Sequence, residues 1–133
     1  MEVKSYKDLV LWQKAMDMTE AVYRVSGELP GDERFGLISQ IRRAAVSVPA
    51  NIAEGHQRAS TKDFLRFLSI ASGSLAEVET LVELAFRLHS IQTTSVADVA
   101  GRADEVGRML RSLQKRLDEK LSSPHPSSLA PRP

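Results

Sequence analysis

Between Phe35 and Gly55 the chain reads FGLISQIRRAAVSVPANIAEG, and its apolar residues return at steps of three and four. Leu37, Ile41, Ala44, Val48 and Ile52 share one face of a helix, the stripe of an element that packs on a core. Beside it runs a polar line, Gln40, Arg43, Ser47, Asn51 and Glu54, with Gly36 at its head. Beyond that line come Val46, Ala50 and Ala53, again apolar and small. Such a line is either a narrow solvated strip or a buried one whose members bond to one another and to neighbouring helices. The apolar flanks favour burial. The five side chains are therefore expected to be mostly buried and hydrogen-bonded, since buried polar groups are nearly always paired, and to fix helix register and subunit geometry. A ligand site in the stripe is the other alternative.

The rest of the chain repeats the helical period. The first helix is expected from Tyr6 to Ser26, with Leu9, Trp12, Met16, Thr19 and Tyr23 as its core stripe and Leu11, Met18, Val22 and Val25 on an adjoining face. Gly27 is placed to end it and Glu28-Leu29-Pro30-Gly31 to turn the chain. The second helix is expected from Glu33, capped by Asp32, to Gly55. Pro49 inside it removes the bond to the Ala45 carbonyl and predicts a kink, with Ser47 placed to bond a freed group. A third helix, Thr61 to His89, carries Phe64, Leu68, Ala71, Leu75, Val78, Val82 and Ala85 as a seam, widened by Phe67, Ile70, Ser74, Leu81 and Leu88. Its apolar arc exceeds the usual stripe of about 100°, enough to touch more than one neighbour. Gly73 in mid-helix predicts close approach of another helix. The fourth helix follows a loop from Ser90 to Thr94, with Val96, Val99, Ala103, Val106, Leu110, Leu113 and Leu117 in register.

Ser5-x-x-Asp8, Ser60-x-x-Asp63 and Ser95-x-x-Asp98 each match a capping box before an apolar-periodic segment. Four helices with short connections predict an all-α, antiparallel up-down-up-down four-helix bundle over residues 1–121. The end, residues 122–133, holds four prolines and four serines and is expected to be disordered.

The motifs WQKA, FGL-x-x-Q-x-RRAA, S-x-P-x-NIAEG and GSL-x-E-x-ET stand between Tyr6 and His89. Through them the chain resembles the four-helix-bundle proteins encoded in intervening sequences of bacterial 23S ribosomal RNA genes. A sister group is the accessory variability protein of diversity-generating retroelements. The resemblance implies a bundle that assembles as a homo-oligomer, a ring of five subunits, and for the sister group a reverse transcriptase as partner.

Elementary chemistry narrows the function. The chain has 133 residues, room for one domain, and 42% hydrophobic residues, enough for a packed core. It contains no cysteine, so thiolate metal sites and disulfides are excluded, and a reducing, cytoplasmic setting is expected. No signal peptide and no apolar run long enough to span a membrane is visible. The Glu-x-x-His spacing of dimetal bundles is absent, no glycine-rich phosphate loop occurs, and His56, His89 and His125 read as ordinary surface histidines. The expectation is a non-enzymatic protein without metal or cofactor. Arg43 and Glu54 lie too far apart to meet within one helix, which leaves Arg66, Glu77 and Glu79 as partners on a neighbour.

Net charge is only +1, so any case for an anionic partner rests on local clusters. One is Arg108, Arg111, Lys115 and Arg116, the other Arg58 and Lys62 with Arg66 at the junction of the second and third helices. A solvated helix face is one reading of these cations, and contact with RNA, DNA or an acidic partner is the other. Neither cluster has the aromatic residues that stack on single-stranded bases. Two functions follow: binding of nucleic acid or a nucleoprotein through basic faces, or a protein-interaction scaffold such as an accessory subunit on a reverse transcriptase. Glu77, Glu79 and Glu83 could instead cover the basic face within an assembly.

Overall fold

The structure, a computed structural model, describes residues 5–122. It consists of four helices, α1 (Val10–Ser26), α2 (Leu37–His56), α3 (Thr61–Leu88) and α4 (Thr93–Ser122), with single 3-10 turns at Tyr6–Asp8 and Gly31–Glu33. Each helix packs on its sequence neighbours, and α4 closes the square on α1. This is the antiparallel four-helix bundle that the periodicity predicts. Its α4 now includes Ser122, and the Pro/Ser-rich segment beyond it lies outside the described residues.

The core has two layers. One gathers Val22, Val25, Ile41, Ala45, Val78, Val82 and Val99; the other gathers Met18, Val48, Ile52, Leu68, Leu75, Val106 and Leu110. On α2, α3 and α4 these are the expected stripes. On α1 the faces are exchanged: Leu11, Ala15, Met18, Val22 and Val25 are buried, while Met16 and Tyr23 are exposed. Two apolar arcs stood side by side there, and the small Ala15 and Ala21 let the chosen face approach α2 and α4 closely.

Three local devices set the geometry. Pro49 leaves the Ala45 carbonyl without its helix bond. Thr19 on α1, not Ser47, answers it: its hydroxyl lies 3.2 Å from that oxygen and 2.8 Å from the Ala15 carbonyl. Arg42, the first arginine of RRAA, donates from Nε to the buried Ser26 hydroxyl at 2.8 Å and stacks 4.5 Å from the Tyr23 ring centre. It pins α2 to α1. At Gly55 a Cβ would stand 2.7 Å from the Phe67 Cβ and 3.0 Å from the Phe64 ring, so here α3 requires glycine. Gly73, by contrast, faces open space, and no helix of the same chain approaches it.

Helix ends also depart from expectation. The Ser5–Asp8 capping box closes the 3-10 turn, and α1 begins only after Leu9. Gly27 ends α1 in right-handed geometry. Asp32 and Glu33 belong to a 3-10 turn, and α2 starts at Leu37 after Gly36. Ser60 caps α3 as predicted, accepting from the Asp63 N–H at 3.1 Å. Ser95 lies inside α4, and the start of that helix is held by Glu28, which accepts the Gln92 N–H at 3.0 Å. A carboxylate from a distant loop thus does what the local serine was expected to do.

Candidate nucleic-acid interface

Chain direction decides where the two basic clusters meet. In an up-down-up-down bundle the start of α1, the α2–α3 junction and the end of α4 share one end. Contacts between Lys14 and Glu105, Ser47 and Ser74, and Leu75 and Gly107 mark a plane across the middle. On the side holding the clusters, residues 5–15, 48–72 and 106–122 carry ten Lys/Arg against five Asp/Glu. On the other side, residues 16–47 and 73–105 carry six against eleven. The near-neutral chain is therefore strongly polar along its axis.

Within the basic end the six candidate cations divide. Arg108 is held by Asp104 at 3.1 Å and Arg58 by Glu54 at 2.9 Å, both one helical turn away. Arg58 also stacks 4.8 Å from the Phe67 ring centre, with Arg66 at 4.5 Å from the same ring and 3.6 Å from Asp63. Among the described residues no acid pairs with Lys62, Arg111, Lys115 or Arg116. Lys62, Arg111, Lys115 and Arg116 are all exposed. Lys62 stands at the start of α3 and the other three on the last turns of α4, Arg116 toward α1 and Arg111 beside Gly107. Glu77, Glu79 and Glu83 belong to the opposite half and do not cover this face within the chain.

The polar stripe is only partly what its flanks suggest. Ser47 and Asn51 are half-buried and joined: the Asn51 amide donates to the Ser47 carbonyl at 2.7 Å and to its hydroxyl at 2.9 Å. The Ser47 hydroxyl meets that of Ser74 on α3 at 2.8 Å. Gln40, Arg43 and Glu54 are exposed in the single chain, contrary to expectation, and Glu54 finds Arg58 rather than a residue on another helix. Only Ser47, in the middle of the stripe, bonds across to α3, while the tight α2–α3 contact at Gly55 is made with Phe64 and Phe67 and leaves Glu54 in solvent. Val46 and Ile70 are likewise left 45% and 43% exposed.

At the acidic end, Glu33 joins three elements. Its carboxylate contacts the His89 ring at 2.7 Å and accepts the Leu37 N–H at 3.4 Å. The His89 hydrogen bond, and after it the Leu37 N–H, hold the Glu33 carboxyl below its ordinary value of 4.5. A hydrogen bond from Ser95, then the Gln92 N–H, act in the same direction on Glu28. His89 is therefore a loop clasp rather than a plain surface residue. No local sequence signal marks it, because its partner lies 56 residues away.

No group of three His, Asp or Glu among the described residues could hold a metal ion. No helix among them is long and apolar enough to cross a membrane.

A family profile described as 23S rRNA-intervening sequence protein matches residues 7–112. The chain belongs to this family. A crystal structure of a protein of unknown function from the S23 ribosomal protein family of Bacteroides thetaiotaomicron is similar to it, with 27% identity and a TM-score of 0.73. The similarity covers 80% of this chain and 99% of that one. No functionally curated protein matches the chain. The family match spans α1, α2, α3 and most of α4, and takes in Arg58, Lys62, Arg108 and Arg111 but not Lys115 or Arg116.

Proposed function

We propose that this 23S rRNA-intervening sequence protein is a non-catalytic, cytoplasmic, self-associating bundle that binds nucleic acid through its basic end. The observation that carries the reading is the segregation of charge along the bundle, with Lys62, Arg111, Lys115 and Arg116 on the rich side paired with no acid among the described residues. Cations that neutralise phosphates release condensed counterions, and that gain needs no base recognition. Phe67, the ring on which Arg58 and Arg66 stack, is buried and offers bases no platform, which favours structured RNA or duplex DNA over single strands. A nucleoprotein, such as a reverse transcriptase holding its RNA, presents the same phosphates and falls within this reading.

Self-association is supported by the outer face shared by α2 and α3. Val46, Ile70 and Leu84 are between 41% and 45% exposed there, beside the open Gly73 and the outward ends of the polar stripe. Apolar surface gathered in this way marks contact with another molecule. In the ring of five that the family resemblance implies, every copy would add its basic end to the same side. Reversing Arg111 and Lys115 together to Glu tests the binding surface. Arg108 is a poorer choice because Asp104 already holds it. Affinity for unrelated RNA and DNA duplexes should fall by a similar factor, with helicity unchanged, while Arg24→Glu in the acidic half leaves it intact. Equal loss from Arg24→Glu, or none from the double reversal, would contradict the proposal.

A further inference from the structure

On the acidic half of the bundle, away from the basic end, a groove opens between α3 and α4 into a cavity of about 160 Å³. That is room for one long side chain. Val82, Val99 and Ala103 are buried and form its floor, Val96 is half-buried, and Glu79, Glu83 and Ala100 are exposed at its rim. The gap is there because Ala100 and Ala103 are too short to fill the space that α4 leaves beside α3.

The lining fixes the chemistry of an occupant. Its floor is aliphatic, while its rim carries two carboxylates and no cation. Glu79 and Glu83 stand one turn apart on α3, a spacing at which like charges repel. Among the described residues Glu79 pairs with nothing. Glu83 meets Arg87 at 3.3 Å, a solvated pair that contributes little, and Arg87 is not part of the lining. A side chain with a methylene stem and a compact cationic head answers both parts: the stem covers the valines and the ammonium sits between the carboxylates. Three donors shared by two acceptors suit lysine better than the planar fork of arginine, which matches a single carboxylate.

The chain's own lysines fit this groove poorly. Each described one has an acid within three residues: Lys7 with Asp8, Lys14 with Asp17, Lys62 with Asp63, Lys115 with Asp118 and Lys120 with Glu119. A second copy would thus bring a carboxylate toward Glu79 and Glu83 along with every ammonium. A lysine-rich segment of another protein, free of acids, brings none. We propose that the α3–α4 groove docks such a segment of a protein partner, with one lysine inserted between Glu79 and Glu83. The groove lies in the half opposite the basic end, so one chain has room for both ligands. The site stands whether or not the basic end binds nucleic acid.

The probe is a fluorescent peptide of repeated Ala-Ala-Lys, titrated against the full chain at low salt. A carbodiimide then joins peptide amines directly to carboxylates, and mass spectrometry maps the links. They should gather on Glu79 and Glu83. Ala100→Leu fills the cavity and leaves every charge in place, and should weaken binding about tenfold because the stem can no longer be buried. Glu79→Gln should weaken it by a similar factor, whereas Glu77→Gln, the same loss of charge outside the cavity, should leave it within about twofold. Circular dichroism shows whether each variant is folded, and the two Gln variants decide the matter should Ala100→Leu fail to fold. Unchanged binding by folded Ala100→Leu, an equal loss from Glu77→Gln, or links spread over all exposed carboxylates would overturn the proposal. So would free spermine binding more tightly than the peptide, which assigns the groove to a small polyamine. Links from a lysine of one copy to Glu79 of another, formed without peptide, would assign it to self-association and overturn it equally.

Discussion

Gly55 and Gly73 should respond to alanine in opposite directions. At Gly55 the added methyl would meet the Phe67 Cβ at 2.7 Å and the Phe64 Cδ1 at 3.0 Å, and Phe64 O at 3.3 Å. Two of those three neighbours are a Cβ and a backbone oxygen, which cannot turn aside. The helices α2 and α3 must separate, and overpacking of this kind costs about 1–3 kcal/mol. Helix propensity returns at most about 1 kcal/mol, and less here, since Gly55 is the second-last residue of α2. Gly55→Ala should therefore lose about 1–2 kcal/mol. At Gly73 the methyl enters open space in mid-helix, so Gly73→Ala should gain about 0.5–1 kcal/mol. With an m-value of about 1–3 kcal/mol/M, the two urea midpoints should differ by about 0.5–3 M. Urea unfolding followed by circular dichroism, at one protein concentration for all three proteins, reads this directly. If Gly55→Ala unfolds at or above the wild-type midpoint, the close α2–α3 crossing is wrong. Sedimentation of Gly73→Ala on the same samples shows whether its outward face also meets another copy.

Other perturbations address separate parts of the account. Thr19→Val leaves the Ala45 carbonyl without the hydroxyl that answers Pro49, and should cost about 1–3 kcal/mol in the same unfolding assay. Asn51→Leu strands the Ser47 hydroxyl and carbonyl partners and should lower the melting temperature, read by a thermal scan. The carboxyls of Glu28 and Glu33 are held below their ordinary value of 4.5, so each adds stability that is fully present above that pH. It is lost as pH falls through the lower folded-state value. Glu28→Gln with Glu33→Gln should therefore flatten the decline of melting temperature below about pH 4.5, a slope that titration of the melting temperature measures.

The four helices were legible because three of them bury a single stripe at steps of three and four. α1 was not, since Leu9-Trp12-Met16 and Leu11-Met18-Val22 make two apolar arcs of similar width. Only packing against α2 and α4 chooses between them. The Ser60 cap was legible because it is local. Glu28 at the start of α4 and Glu33 beside His89 were not, because their partners lie 64 and 56 residues away. Arg42 and Arg43 are adjacent in sequence, yet one clamps α1 and the other faces out; a turn of 100° separates them. Both basic clusters were readable as runs of charge. That they share one end follows from helix direction, and that Arg58 and Arg108 are already paired follows from acids one turn back, at Glu54 and Asp104.

Affinity for nucleic acid as a function of salt tests the central claim most directly. Fluorescence anisotropy on two duplexes of unrelated sequence, from low to physiological salt, gives the slope of log K against log salt. Each phosphate neutralised on duplex DNA contributes roughly −0.9, so Lys62, Arg111, Lys115 and Arg116 together predict a slope of about −3 to −4 per chain engaged. The account predicts nearly the same steep slope on both sequences, reduced by about two units in the Arg111→Glu, Lys115→Glu protein. A slope near zero, or tight binding to one sequence alone that ignores salt, would contradict it.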